Sequence, residues 1–169
     1  MANTFEAIAT VTVGSGGAAS IDFSSIPATY TDLLLKVSLR TDQTFANSGY
    51  FCLYKLNNST SNQTRRQLQG DGSTAASQSF SSFAIYCNPS DYTASTFGNT
   101  EFYFPDYTSS NNKSHSIDSV IENNATAAFT AFFAGLWSDA AAINQITVYT
   151  NSGNFVQHST ATLYGIKNS

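Results

Sequence analysis

The run Leu33-Leu34-Leu35-Lys36-Val37-Ser38-Leu39-Arg40 decides the fold class. Leu33, Leu35, Val37 and Leu39 fall on one face of an extended chain, and Lys36, Ser38 and Arg40 fall on the other. Leu34 alone breaks the alternation. A strand alternates its side chains between two faces, whereas a helix repeats every 3.6 residues, and no such repeat runs through these residues. The same two-residue rhythm recurs on both sides. Phe5, Ala7, Ala9, Val11 and Val13 read as one apolar face, with Glu6, Thr10 and Thr12 opposite. Gly14-Ser15-Gly16-Gly17 breaks that strand, because glycine admits positive φ at little cost. Ile21 and Phe23 restart the pattern and Pro27 ends it. Further strands are expected at 50–56, 82–87, 101–104, 114–122, 129–137, 143–150 and 160–166. Gly70-Asp71-Gly72-Ser73, Asn88-Pro89-Ser90-Asp91 and Asn151-Ser152-Gly153-Asn154 are turn signals. The stretch 57–64 reads as a polar loop or a weak strand edge.

About ten short strands separated by turns predict an all-β domain, an antiparallel sandwich of jelly-roll type. Parallel pairing would need crossover helices, and no segment has helical periodicity. Composition shifts nowhere sharply over the 169 residues, so 1–169 reads as one domain.

Only 11% of residues are charged, while aromatic residues make up 14%, with thirteen Phe and nine Tyr. Roughly a third of the chain is Ser, Thr or Asn, well above ordinary usage. A chain so aromatic is not disordered. Seven basic against eleven acidic residues leave no electrostatic footprint for nucleic acid. The N-terminal residues have no basic and apolar leader pattern, and no apolar run approaches the length of a membrane span, so neither secretion nor a membrane is expected. Cys52 and Cys87 are therefore expected as reduced, buried thiols.

The residues name no chemistry. His115 and Asp118 lie three apart on an expected strand and so face opposite ways, and there is no Gly-x-Ser-x-Gly elbow. Metal-ligand spacings are missing, and Asp71 is accounted for by its turn. Asp118 and Glu122 read as surface charges and not as a glycosidase pair. No phosphate loop follows Gly14–Gly17. No catalytic, cofactor or metal residue is assigned, and the expectation is a protein without enzymatic activity.

Two features point to binding. The strand at 129–137 is apolar on both faces, with Phe129, Ala131, Phe133 and Trp137 on one side and Phe132, Ala134 and Leu136 on the other. A sandwich strand normally keeps one wet face. Either a long loop covers this one or a second subunit does, and Phe132, Leu136 and Trp137 are the candidate interface residues. Tyr30, Tyr92 and Tyr107 fall in polar, loop-like contexts near Asn88, Asp91, Asp106 and Asn111. They are candidates for a loop contact or for stacking on a glycan.

Three segments carry a resemblance. They are Ser15–Phe23 with Ile26–Leu33, Gly135–Ser138 leading into Ala142–Ile146, and Gly153–Phe155 running through Ser159–Ile166. They resemble small virion proteins of tailed bacteriophages, marine and cyanobacterial ones especially. Many such proteins carry Gly where this chain has His158, which leaves the turn geometry there open. The resemblance implies a structural protein of the virion, assembled in the host cytoplasm. It would be a capsid decoration or cement protein, or alternatively a fibre or receptor-binding module that recognises host-surface glycan. The implied partners are capsid, tail or fibre proteins and further copies of the chain. No shared catalytic residue comes with the resemblance.

Overall fold

The computed structural model describes residues 4–124 and 128–167. Twelve strands run in the order β1 (Phe5–Thr12), β2 (Ser20–Phe23), β3 (Asp32–Leu39), β4 (Phe51–Leu56), β5 (Gln63–Gly70), β6 (Ala75–Phe80), β7 (Ala84–Tyr86), β8 (Gly98–Phe104), β9 (Lys113–Ile121), β10 (Phe129–Trp137), β11 (Ile146–Thr150) and β12 (Thr160–Ile166). They form two antiparallel sheets, one of eight strands ordered β1-β12-β3-β8-β9-β10-β5-β6 and one of four ordered β2-β11-β4-β7. The protein is a β-sandwich.

Pairings β1–β12, β2–β11, β3–β8 and β4–β7 are those of a long hairpin rolled up on itself, with alternate pairs sent to opposite sheets. That connectivity is a jelly roll of eight strands. The other four strands are two hairpin insertions. One, β5–β6, lies between β4 and β7; the other, β9–β10, lies between β8 and β11. They pair with each other through β10 and β5 and lengthen the large sheet beyond β8.

The alternation expected for 33–39 holds: Leu33, Leu35, Val37 and Leu39 are buried in the core with Phe102, Phe104, Leu163 and Trp137. Leu34 also packs away, against its neighbours on the outer face. β1 departs from expectation. Its pairing with β12 shifts between Ala7 and Ala9, so one extra residue switches the face. Ile8 and Val11 therefore pack on the core, and Phe5 is left exposed. His158 sits at φ +72°, the left-handed region that favours glycine.

β5 and β6 were not expected as strands, and the reason is chemical. The residues of β5 that point inward are Gln63, Arg65 and Gln67, all buried. Arg65 and Gln67 face the free edge of the small sheet, where unpaired backbone groups need partners. Arg65 Nη1 donates to the Ala84 carbonyl, and the Tyr86 N–H donates to Ser119 Oγ at 3.2 Å. A polar lining is thus what closes the edge of β7, and it hides the strand from any hydrophobicity pattern.

The cysteines correct the expectation of free thiols. Cys52 on β4 and Cys87 just beyond β7 are joined as a disulfide, with Cα atoms 6.1 Å apart. Both are fully buried, as expected. Their pairing comes from β4 and β7 lying side by side, with Cys52 opposite Ile85 two residues from Cys87.

Arg40, at the end of β3, pins the loop between β7 and β8. Its guanidinium donates to the carbonyls of Thr93, Thr96, Ser90 and Tyr92, each at 2.9 Å. Charge-assisted bonds of this kind are each worth about 1.5–3 kcal/mol, part of which hydration of the freed carbonyls returns. Replacing Arg40 with leucine should cost about 2–3 kcal/mol in total. Hydrogen exchange should then show the amides of 90–96 losing protection before the rest of the sandwich. Uniform loss across the molecule would contradict this pinning role.

Candidate interaction surface

β10 is a central strand, paired on one side with β9 and on the other with β5. Its alternation sends Phe129, Ala131, Phe133, Gly135 and Trp137 inward and Thr130, Phe132, Ala134 and Leu136 outward. The outward row is covered by no loop of the described chain. Phe132 is 58% exposed and Leu136 36%. Directly beside Phe132 in the register lie Leu68 on β5, 57% exposed, and Asp118 on β9. Val120, further along β9, is 37% exposed. A depression of about 680 Å³ follows this face between Arg66, Leu68, Ser77, Ser116, Asp118 and Phe132. Among the described residues, most of the large exposed hydrophobic side chains therefore sit on the four added strands. Phe5 and Tyr103 are the exceptions.

Of the residues expected at an interface, Phe132 and Leu136 lie on this face. Trp137 does not: it is 1% exposed and belongs to the core, because it follows Leu136 by one residue on a strand. Leu68 and Val120 complete the patch. The signal for Leu68 was ambiguous, since an apolar residue flanked by Gln67 and Gln69 normally reads as inward-facing.

The three tyrosines do not form one site. Tyr107 follows β8 and is buried, with its hydroxyl donating to the Pro27 carbonyl. Tyr30 precedes β3 at the same end and is half-buried. Its ring lies against Gly165, where an added Cβ would come within 2.3 Å of it, and Lys167 Nζ stands 5.1 Å from the ring centre. Tyr92 lies at the opposite end, in the loop before β8, buried and stacked 6.2 Å from Phe45. Burial pushes its hydroxyl pKa up to about 12. Tyr92 and Tyr107 are thus packing residues and present no ring to a sugar. They were expected in loops, and they are; the loops fold over the ends of the sandwich and carry the rings inside.

Among the described residues no three His, Cys, Asp or Glu side chains gather into a metal-binding group. His115 points inward and Asp118 outward, as their spacing requires. Asp71 closes the β5–β6 turn. Its Oδ1 accepts from the N–H groups of Ser73 at 2.9 Å and Thr74 at 2.7 Å.

His115 shares a 2.6 Å hydrogen bond with the Tyr54 hydroxyl, and its ring lies on the backbone of Gly135, where a Cβ would meet it at 2.2 Å. Burial pushes its pKa down to about 4. The unfolded chain takes up this proton near pH 6.5 and the folded chain only near pH 4. Stability is therefore complete above about pH 6.5, is withdrawn as pH falls towards about 4, and levels off below; the loss amounts to roughly 3 kcal/mol. Denaturant midpoints at pH 7.5, 5.5 and 4.2 check this, and equal midpoints would contradict it. The Asp71 carboxyl, held low by the Thr74 and Ser73 N–H groups, withdraws its contribution only at lower pH.

No family model, no curated protein and no solved structure matches this chain.

Proposed function

We propose that the protein is a non-enzymatic structural component of a tailed-phage virion, a decoration or cement protein that binds neighbouring coat subunits on the capsid exterior. The observation that carries this reading is the uncovered apolar row Leu68–Phe132, with Leu136 and Val120, on strands added to the jelly roll. Contiguous apolar surface of this kind is uncommon on proteins that act alone. The row is flanked by Arg66 and Asp118, one charge of each sign, and otherwise by small polar residues, a composition suited to close contact with little desolvation cost. The likeness of three sequence segments to virion proteins supports placing that contact on a phage particle.

The mechanism is binding. A protein that binds the assembled shell and not its separated subunits stabilises the shell by RT ln(1 + [L]/Kd) per site, about 2.7 kcal/mol at a hundredfold excess over Kd. Particles stripped of the protein should rupture at a lower temperature than intact ones. Adding the native protein back should restore the rupture temperature, and adding the Phe132→Ser variant should not. Identical rupture of stripped and intact particles would end the cement reading.

A further inference from the structure

The two sheets have four outer edges, and three of them are closed to further pairing. β1 carries the irregularity between Ala7 and Ala9 and the Glu6–Lys167 ion pair. β2 has only four residues, one of them Asp22. The backbone of β7 is capped by Arg65 and Ser119. These are the devices by which sheet proteins prevent strand addition. The fourth edge, β6, has none of them. Its residues Ala75-Ala76-Ser77-Gln78-Ser79-Phe80 contain no charge and no proline, and its pairing with β5 is regular throughout.

The phase of its hydrogen bonds is set by the turn. Asp71 N–H donates to the Thr74 carbonyl, so 71 and 74 form a bonded pair. Along an antiparallel ladder bonded pairs alternate, which makes 69–76, 67–78 and 65–80 the next ones. Ala75, Ser77 and Ser79 therefore turn both N–H and C=O to the open edge. Their side chains share the outer face with Leu68, which pairs with Ser77.

We propose that β6 is a homodimer edge: it pairs antiparallel with β6 of a second copy about a twofold axis at Ser77, joining the two large sheets into one. In this register Ser77 meets Ser77, and Ala75 meets Ser79 of the partner copy. The strand is its own complement, since only small side chains oppose one another on the outer face. Charge favours the antiparallel sense. It carries each negatively charged Asp71 turn towards the end of β6 where the partner copy's outward-facing Arg66 stands, whereas a parallel pairing would bring the two Asp71 turns together. The rows Phe132–Leu68–Ser77 of the two copies then run on from one to the other across the axis. This goes beyond the capsid reading and does not depend on it.

The test uses the full chain. Light scattering should give twice the 18.1 kDa chain mass at micromolar concentration. Bonded antiparallel neighbours lie about 5.5 Å apart at Cα, within disulfide reach. Ser77→Cys should therefore cross-link to a dimer under mild oxidation. Ser79→Cys should not, because the two positions are displaced by four residues, ~13 Å along the strand. Mixing Ser79→Cys with Ala75→Cys should restore the cross-link. Ser77→Pro removes only an outward N–H and should weaken dimerisation at least tenfold with the melting temperature of the isolated monomer unchanged. A monomeric native protein, or equal cross-linking through 77 and 79, would overturn the proposal. Dimerisation without any effect on particle rupture would leave it standing and remove the cement reading alone.

Discussion

Replacing Trp137 with alanine should destabilise the protein by about 4 kcal/mol, the cost of deleting a large side chain from a close-packed core. For a chain of this size that is roughly a 10 °C fall in melting temperature. Trp137 is among the largest fully buried side chains, and its ring fills the space beneath the end of β10. Its Nε1 has no hydrogen-bond partner among the described residues, so Trp137→Phe, which removes that donor, should cost far less than the alanine variant. Phe132→Ser is the counterpart. The ring is more than half exposed, so the melting temperature should move by no more than about 1 kcal/mol's worth. Binding to particles should be lost. Calorimetry together with particle binding separates the two residues. Loss of binding in Trp137→Ala at an unchanged melting temperature would show that the indole faces outward after all.

The second large effect belongs to the disulfide. Cys52 and Cys87 are separated by 35 residues, a span that includes the whole β5–β6 insertion. Closing a loop of that length restricts the unfolded chain by about 3–4 kcal/mol in the loop-entropy account. The double variant Cys52→Ala/Cys87→Ala should lose that amount, read from denaturant midpoints with an unchanged slope. Protein unfolded without reductant should show no titratable thiol. Two thiols per chain in that assay would return the cysteines to the reduced state expected from the sequence.

The polarity of β5 explains why that strand escapes a reading of the sequence. A strand is recognised when its buried face is apolar, and β3 is the clear instance: Leu33, Leu35, Val37 and Leu39 announce both the strand and its inner face. β10 was equally legible in extent, and its two apolar faces were both visible, of which the structure leaves the one with Phe132 and Leu136 exposed. β5 inverts the rule. Arg65 and Gln67 turn inward to partners on β7, and Leu68 turns out. Since the two strands meet only after the hairpin insertion has docked, nothing local in 63–70 carries the information.

The two-residue alternation determined by itself that the chain is an antiparallel sandwich, since side-chain direction along a strand is a local property of the backbone. It determined which residues of β3 face the core, and which residues of β10 share a face, for the same reason. Only the tertiary structure decided that β5 and β9–β10 join into an extension of the large sheet, that Cys52 meets Cys87, that Trp137 lies inside and Leu68 outside, and that β6 is left as an open edge. Each of these depends on which distant strand becomes the neighbour. Strand neighbours are chosen by the packing of the whole sandwich and not by the residues that happen to adjoin them in the chain.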